Sequence, residues 1–522
     1  MAHRFERHTF LFLLTFSMLC TGVSAATLTL TVTSDSLRYT IPSNFIGLSY
    51  GPDALGDTTQ LKPTDNALLT LLRQIGPGVL RFGGNSMDNK GLVPFDSLKY
   101  KRGLDFVNTI GWKIMIGMPL GTFDTTGAKS IVKFTSAYSK NSILSYEVGN
   151  EPDLYPSNGL RTSTYAVANY ETEFNTYYTA IRRVVPDAPF SGPTTAKQDW
   201  VAAFASAEAS RIMLLTQHHY VEAPGGTLSA EISTLLSPSS KQSIVTKMNS
   251  MQTAAKAAGV LARLSECNSV WSGGQTGVCD VFAATLWTTD FMFAIANAGN
   301  VGVNFHGGGT GPYTPIADSL GILKTRPEYY GIMMFKYASG GTIVKSKLSD
   351  TTVNVGAYVV KSSGDSIRIA LINKDSVNAY TINVQGIASA NSATIIRMQA
   401  ASIHSATGIT FGGDSITTAK PWAAVAFETV VPASNAYAIS LPKASAAVVT
   451  IPLASTGCTV SRAGVQTSQG RDLRMIMSAS ASRFLPQPDE TYYSIRGERL
   501  PCGPHARPTP QALIVERKVL GR

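Results

Sequence analysis

The feature that most limits the possible folds of this chain is the alternation of short apolar runs with helical stretches between residues 44 and 340. Eight runs have the length and composition of buried strands. They are NFIGLSY (44–50), GVLRFGG (78–84), KIMIGMPL (113–120), ILSYEVGN (143–150), PFSG (189–192), MLLTQHHY (213–220), LARLSE (261–266) and VGVNFHG (301–307). Between them lie stretches with helical periodicity, such as STYAVANYETEFNTYYTAIRRVV. This order predicts an α/β fold, a (β/α)8 or TIM barrel over residues 41–340. A doubly wound open sheet is the alternative, but no glycine-rich nucleotide fingerprint follows the first strand.

Sequence of β type flanks this region on both sides. Residues 26–40, ATLTLTVTSDSLRYT, alternate Leu and Val with Thr, as a half-exposed strand does. From about residue 342 the helical stretches stop, and short alternating segments are separated by Asp, Gly, Ser and Asn. This pattern predicts an antiparallel β-sandwich over residues 341–454. The strand at 26–40 has the same character and can join that sandwich.

The two ends of the chain have a different composition from this core. Residues 1–25 have a basic start, an apolar run at 9–20 and small residues before a cut near residue 25, as a signal peptide does. An uncleaved membrane anchor is the alternative. We therefore expect a secreted, extracellular protein that has no membrane contact after cleavage. Residues 455–522 have no sustained period and predict a disordered or atypical tail. A linker to another module and a gene-model error are the alternatives there.

The charged residues and cysteines limit the possible partners. The net charge is +10, and half of it lies after residue 450. With no basic helix or aromatic–basic repeat in the body, we expect no nucleic-acid partner. Secretion implies an oxidising compartment. Cys267 and Cys279 flank a glycine-rich stretch, so a disulfide between them is plausible, with two free buried thiols as the alternative. Cys458 and Cys502 could pair or remain free.

Polar residues at the ends of the apolar runs are the candidates for chemistry, because the active site of such a barrel forms at the C-terminal ends of its strands. The fourth run ends in Asn150 and Glu151, and the seventh ends in Glu266. Two such glutamates suggest a glycoside hydrolase, in which one carboxyl group protonates the leaving oxygen and the other attacks the anomeric carbon or activates water. A lone strand-end glutamate is more often a solvated loop residue, and it is the pair that favours catalysis. Asn150 could donate to a sugar 2-hydroxyl group, and Tyr220 to an ionised Glu266.

Other polar residues near these glutamates are expected to have structural roles. The two-residue period of a strand places Glu147 in a lower layer of the barrel, where we expect it to pair with a base such as Arg81 or His219. Asp153 follows a proline and is expected to cap the next turn. For His218 and His219 no third ligand has suitable spacing, so hydrogen bonds that shape the site are favoured over a metal site.

Four stretches carry a family resemblance. They are RFGGN (81–85), GNEPDLY (149–155), QHHY (217–220) and LSECNSVWSGGQ (264–275). Together they resemble glycoside hydrolase family 79, which groups β-glucuronidases with heparanase, and the secreted fungal and bacterial β-glucuronidases are the closer likeness. The resemblance covers roughly residues 27–450. The Asn–Glu pair is shared by all of clan A of the retaining glycosidases, whereas the stretch after Glu266, with NFHGGG behind it, is more specific.

The resemblance implies a retaining double displacement on a substrate that contains glucuronic acid, with Glu151 as acid/base, Glu266 as nucleophile, and neither cofactor nor metal ion. It also implies a pocket for the sugar carboxylate, built largely from backbone amides of a glycine-rich loop. Consecutive amides of this kind form an anion-binding nest without a basic side chain. The residues implied in that pocket are Trp271, Gly273, Gly274 and Tyr313.

Two positions depart from the family pattern. Gly51 stands just after the first strand, where the family often has an acidic residue that meets a sugar hydroxyl group. It leaves room and removes a charge, so recognition of the sugar O4 would differ and a 4-O-methyl group could be tolerated. Position 271 is Trp rather than the expected tyrosine, so one hydroxyl contact is expected to be missing.

Three hypotheses about function follow. The first is a retaining exo-β-glucuronidase that releases terminal β-linked glucuronic acid, in plain or 4-O-methylated form. The second is another clan A retaining glycosidase, or an endo-acting enzyme like heparanase. Endo action on sulfated chains would need a basic cleft, and the modest positive charge of the body gives little support for one. The third is a non-catalytic carbohydrate-binding protein, and the presence of Glu151, Glu266 and Tyr220 argues against it.

Overall fold

The computed structural model describes residues 25–88, 95–453, 473–476, 490–494 and 513–517, and the side chains at 228–230, 473–476, 490–494 and 513–517 are not described. The chain divides into two units, Met1–Leu453 and Ala454–Arg522. The predicted signal peptide, Cys458, Cys502 and most of the predicted tail lie outside the described residues.

Eight parallel strands close into a barrel in chain order. They are β2 (Ile46–Tyr50), β3 (Val79–Phe82), β4 (Lys113–Met118), β5 (Ile143–Val148), β6 (Phe190–Thr195), β7 (Leu214–Glu222), β8 (Leu261–Val270) and β9 (Val303–Gly307). Each of the eight apolar runs contains or overlaps one of these strands, which confirms the predicted barrel. Most residues of these strands are buried because side chains pack inside the barrel and helices cover its outside.

Nine helices accompany the strands in the described part of the chain. They are α1 (Asn66–Gln74), α2 (Ser97–Ile110), α3 (Thr125–Ser139), α4 (Val167–Arg182), α5 (Val201–Glu208), α6 (Leu228–Leu235), α7 (Pro238–Ala258), α8 (Phe282–Asn297) and α9 (Pro327–Ala338). The side chains of Asp65, Asp96 and Asp124 accept first-turn amides and fix the starts of the first three. Helix α8 lies within the apolar stretch at 278–299 and is buried, and none of the described helices has the length and hydropathy needed to cross a bilayer.

A ten-stranded sheet, antiparallel except for one pair, forms the second part of this unit. Its strands are β1 (Ala26–Thr40), β12 (Gly341–Leu348), β13 (Val355–Ser362), β14 (Ser366–Asn373), β15 (Tyr380–Gln385), β16 (Ala393–Gln399), β17 (Thr410–Phe411), β18 (Glu428–Val430), β19 (Tyr437–Leu441) and β20 (Ser445–Pro452). The order is β17–β16–β20–β14–β13–β12–β1–β15–β19, with β18 beside β16. Strand β1 lies between β12 and β15, which confirms that the N-terminal strand joins this domain.

The predicted sandwich is one continuous sheet that folds over on itself. Buried side chains of β15 and β19, near one end of the sheet, share a core with those of β14 and β20. A smaller hairpin of β10 (Ile316–Ser319) and β11 (Ile322–Thr325) follows the last barrel strand. In the second unit, β21 (Leu473–Ile476), β22 (Glu490–Ser494) and β23 (Leu513–Arg517) form a three-stranded antiparallel sheet with β23 in the middle.

A buried carboxylate, Asp290 on α8, joins the barrel to the sheet domain. Its oxygens lie 2.8 Å from the Lys374 ammonium nitrogen, 3.1 Å from that of Lys241 and 2.7 Å from the Tyr358 hydroxyl group. Burial by itself would raise the pKa of Asp290, but the two lysine charges outweigh it and hold the pKa well below its usual range. Asp290 therefore stays ionised and compensates the buried charge of Lys374.

We expect Asp290→Asn to destabilise the protein by about 3–5 kcal/mol, because the Lys374 ammonium would remain buried without its counter-charge. Urea unfolding followed by tryptophan fluorescence measures the change. Asp187→Asn is the matched control, since its ion pair with Lys140 is exposed on both sides and its loss should leave the free energy of unfolding nearly unchanged. Equal shifts for the two variants would contradict a special role of Asp290.

Candidate active site

A cavity of about 810 Å³ opens at the C-terminal ends of the barrel strands. This volume lies within the range of about 300–1,000 Å³ that is usual for small-molecule sites. Its wall includes five of the predicted site residues, namely Glu151, Tyr220, Glu266, Trp271 and Tyr313. These five predicted residues therefore lie around one cavity.

The two predicted glutamates face each other across this cavity. Glu151 follows β5, and Glu266 lies within β8. One oxygen of each carboxylate and one ring nitrogen of His218 all lie within 4.8 Å of one another. Retaining glycosidases have carboxyl groups about 5–5.5 Å apart and inverting ones about 6.5–9.5 Å, so the two glutamates are close enough to act on one glycosidic bond.

An irregularity in the strand pairing brings Glu266 to this position. Gln217 of β7 pairs with Leu264 of β8, but the next residue, His218, pairs with Glu266. Ser265 is thus an extra residue in β8, and a bulge of this kind changes the direction of the side chains that follow it.

Arg81 of β3 connects the carboxylates below the cavity. It is fully buried and donates from Nε to Glu147 Oε2 and from Nη1 to Glu266 Oε2, both at 2.6 Å. A third N–H group donates to Asn150 Oδ1 at 3.1 Å. The Arg81–Glu147 pair confirms the partner predicted for Glu147, whereas the contact of Arg81 with Glu266 was not predicted. The sequence spacing gave no sign that Arg81 contacts Glu266 as well as Glu147.

Glu266 is held as a carboxylate by its neighbours. Tyr220 donates its hydroxyl group to Glu266 Oε1 at 2.8 Å, which confirms the predicted hydrogen bond. Burial alone would raise the pKa of Glu266, but its interactions with His306, His218 and the Arg81 guanidinium group and the Tyr220 hydrogen bond outweigh it and hold the pKa well below its usual range. Glu266 is therefore ionised at neutral and mildly acidic pH.

Glu151 has one side-chain partner and an unusual backbone. His218 Nδ1 lies 3.1 Å from Glu151 Oε1, so His218 shapes the site by a hydrogen bond, as the sequence predicted. The φ angle of Glu151 is +48°, in the left-handed region, which costs a residue with a Cβ atom roughly 1–2 kcal/mol. Its amide donates to Thr194 O at 3.0 Å and fixes this conformation. Such strain is often found where a side chain has to be aimed at a ligand.

By distance alone, Glu151, His218 and Glu266 could also hold a metal ion. The Arg81 guanidinium group already lies 2.6 Å from Glu266 and would repel a cation beside it. A carboxylate pair that acts on a neutral glycosidic bond is the better use of this arrangement.

Asn150 is buried beside the cavity and holds its floor. Its Oδ1 accepts from Arg81 and from the amide of Gly84 at 3.0 Å, and its Nδ2 donates to Asn85 Oδ1 at 3.0 Å. Asp88, whose role was not predicted, accepts the Asn150 amide at 2.8 Å. Asn85 lines the cavity itself, whereas Asn150 lies behind the lining residues.

Two predicted roles change in the structure. Asp153 does not cap the turn that follows it: its carboxylate accepts the amides of Ala196 and Lys197, at 3.1 and 2.8 Å, and so holds the loop after β6 beside Glu151. His219 does not pair with Glu147. Burial, with a smaller effect of the Lys247 charge, lowers the pKa of His219 to about 3, so its ring is neutral.

The predicted carboxylate loop forms one wall of the cavity. Trp271 and Ser272 line it, and Trp271 is 51% exposed. Gly274 has a φ angle of +91°, and a Cβ atom there would lie 2.9 Å from the Tyr313 amide nitrogen, so only glycine fits. The Gly274 amide donates to Trp271 O at 3.2 Å and is therefore used within the turn. This corrects the expectation that it would be part of an anion-binding nest.

Two family models match the chain. Glycosyl hydrolase family 79, N-terminal domain, matches residues 108–292, and the family 79 C-terminal beta domain matches residues 357–448. Together they cover more than half of the sequence.

The chain belongs to glycoside hydrolase family 79.

Known proteins agree with this assignment. A beta-glucuronidase of Aspergillus niger is 24% identical over 444 residues, which are 70% of this chain and 81% of the relative. A beta-glucuronidase of Neurospora crassa is 24% identical over 379 residues, 65% of this chain and 64% of the relative. The structure of a 4-O-alpha-L-rhamnosyl-beta-D-glucuronidase from Fusarium oxysporum has a TM-score of 0.66 at 19% identity and covers 80% of this chain and 100% of that one. This family 79 enzyme is thus a glycoside hydrolase with the fold of that structure.

The space beside Gly51 in this family 79 enzyme is occupied by a carboxylate. A Cβ atom on Gly51 would lie 2.2 Å from Asp53 Oδ1, and both residues line the cavity. The expectation that Gly51 leaves room and removes a charge is therefore wrong: Asp53, in the short 3-10 helix Pro52–Leu55, places its carboxylate in the space beside Gly51. No sequence signal distinguished Asp53 from an ordinary loop acid.

The cysteines of the family 79 enzyme are free where the structure describes them. Cys267 and Cys279 are both buried thiols, not the disulfide considered plausible. The Cys267 sulfur donates to Asn304 O, and the Cys279 sulfur accepts from Ser269 Oγ and the Gln275 amide. Each sulfur thus has partners of its own.

Proposed function

We propose that this family 79 enzyme is a retaining exo-β-glucuronidase that releases terminal β-linked glucuronic acid from glycans or glycosides outside the cell. The observation that carries the proposal is the close carboxylate pair, within 4.8 Å, in which Arg81 and Tyr220 keep Glu266 ionised. The two β-glucuronidase relatives support the choice of glucuronic acid as the sugar.

In the proposed reaction, the Glu266 carboxylate attacks the anomeric carbon while Glu151 gives its proton to the glycosidic oxygen. The bond to the leaving group breaks, and a glycosyl ester of Glu266 remains. Glu151, now a carboxylate, takes a proton from a water molecule whose oxygen displaces Glu266. The sugar leaves with its original configuration, and both glutamates return to their starting states.

The Arg81 contacts explain how the charge on Glu266 can be lost and regained. When Glu266 becomes an ester, its negative charge disappears 2.6 Å from a buried guanidinium group. Glu147, equally close to Arg81 and fully buried, keeps that guanidinium paired throughout the cycle. We therefore assign Glu147 as a positioning residue that prevents an unpaired buried charge in the intermediate.

The remaining contacts are assigned to the sugar. The loop at Trp271 and Gly273, with the Tyr313 hydroxyl group, is proposed to hold the sugar carboxylate. Asn150 is proposed to bind the sugar 2-hydroxyl group together with Asn85. Asp53 is proposed to accept a hydrogen bond from the 4-hydroxyl group, so that a 4-O-methyl group, which has no proton to donate, is bound less well.

A panel of 4-nitrophenyl β-glycosides tests this function. We expect kcat/KM for the β-glucuronide to exceed that for the β-glucoside by at least about 10³-fold, since the loop and Tyr313 would lose their charged partner. The 4-O-methyl glucuronide should fall between the two. A neutral glycoside that is cleaved faster than the glucuronide would refute glucuronidase action, and binding without turnover would favour a carbohydrate-binding protein. Internal cleavage of a long glucuronic-acid polymer would favour endo action.

A further inference from the structure

A lysine in the cavity wall has no part in the reaction just described. Lys247 lies on α7, and its side chain lines the cavity near His218 and His219. Its ammonium nitrogen donates to Ala196 O at 2.9 Å and to His218 O at 3.0 Å. An ammonium group has three N–H donors, so one remains after these two bonds. Within the described part of the chain, no carboxylate lies within 4.0 Å of this nitrogen.

Lys247 carries its charge into the cavity. Burial lowers the pKa of Lys247 to about 8, against the opposing effect of the Asp153 and Glu151 charges, so the group is protonated at neutral and acidic pH. Arg81, in contrast, has both its carboxylate partners at 2.6 Å below the cavity floor. Lys247 is therefore a cation whose remaining donor is available to a ligand.

The backbone contacts place Lys247 on the Glu151 side of the site. One of its carbonyl partners belongs to His218, whose ring contacts Glu151. The other belongs to Ala196, whose amide is held by Asp153, two residues after Glu151. Tyr313 lies towards the other carboxylate: its ring centroid is 6.3 Å from that of His306, whose Nδ1 lies 3.8 Å from Glu266 Oε2.

The proposed reaction defines which part of the substrate lies on the Glu151 side of the cavity. The acid/base group touches the oxygen that joins the sugar to its leaving group, so the leaving group lies beyond Glu151. We propose that Lys247 forms a second subsite, which binds a carboxylate on the leaving group and makes the enzyme prefer glucuronides whose aglycone is itself an acidic sugar. This inference rests on the proposed function.

Two disaccharides that differ only in this group test the proposal: glucuronic acid β-linked to glucuronic acid, and glucuronic acid β-linked to glucose. We expect Lys247→Met to lower the ratio of their kcat/KM values at least about tenfold, because a hydrogen bond to a charged group is lost. Lys247→Arg should restore most of the ratio. Lys256→Met, on the same helix but beside Tyr39 and outside the cavity wall, should leave the ratio unchanged.

Each other outcome overturns the proposal in a recognisable way. If Lys247→Met slows both disaccharides and 4-nitrophenyl β-glucuronide equally, Lys247 binds the carboxylate of the released sugar or supports Glu151. An unchanged ratio with unchanged rates would show that the cavity does not use this charge. A parent enzyme that cleaves no glucuronide would refute the proposed function itself, together with this inference.

Discussion

Replacing Glu266 by glutamine should lower kcat/KM for 4-nitrophenyl β-glucuronide on the order of 10⁴-fold or more, because a neutral amide cannot form the glycosyl ester. The variant should remain folded. Arg81 keeps Glu147 at 2.6 Å, and the three charged groups then sum to zero instead of −1. Steady-state kinetics and the melting temperature of the purified variant measure the two effects.

Glu147→Gln is the matched control for Glu266→Gln. It also replaces one of the two carboxylates that contact Arg81 by a neutral amide, but it leaves the proposed nucleophile in place. We expect a smaller loss of activity, roughly 10²-fold, because Arg81 would be unpaired only while Glu266 is esterified. If Glu147→Gln proved as inactive as Glu266→Gln while still folded, the assignment of the nucleophile would have to be revised.

The barrel could be predicted from the sequence because its strands are buried on both faces. Such strands leave continuous apolar runs, and the eight runs between helical stretches match the eight strands of the structure. The position of Glu151 followed from the same reasoning, since the run 143–150 ends one residue before it. Tyr220 was placed correctly beside Glu266 for the same reason.

The contacts that set the charges of the site could not be predicted in this way. Glu266 reaches the cavity because Ser265 is an extra residue in β8, and strand period alone gives no sign of that irregularity. Asp53 reaches the space beside Gly51 from the short 3-10 helix Pro52–Leu55, and Lys247 reaches the cavity from helix α7. The path of the chain after a strand and the reach of long side chains depend on tertiary packing, so Asp53 and Lys247 had the same appearance in the sequence as ordinary surface charges.

Replacing Glu151 by alanine should have an effect that depends on the leaving group. A dinitrophenolate needs little protonation to depart, so the glycosyl ester of Glu266 should still form from dinitrophenyl β-glucuronide. Its hydrolysis should be about 10²–10⁴-fold slower, because no group remains to take the proton of the attacking water. We therefore expect a burst of dinitrophenolate followed by a slow steady state. A disaccharide substrate, whose leaving group needs the proton, should not react measurably.

Azide identifies the step at which Glu151 acts. It is a small anion that needs no base, and it can enter the space left by the carboxylate and attack the anomeric carbon of the ester. Added azide should thus restore fast turnover of the dinitrophenyl substrate by Glu151→Ala and give β-glucuronosyl azide, identified by NMR.

Azide should not rescue Glu266→Gln, which forms no ester. Because the φ angle of residue 151 is +48°, Glu151→Gly is a second variant that suits this backbone and should respond in the same way. An α-azide product would instead assign Glu151 as the nucleophile, and no response to azide in either Glu151 variant would exclude it as the base.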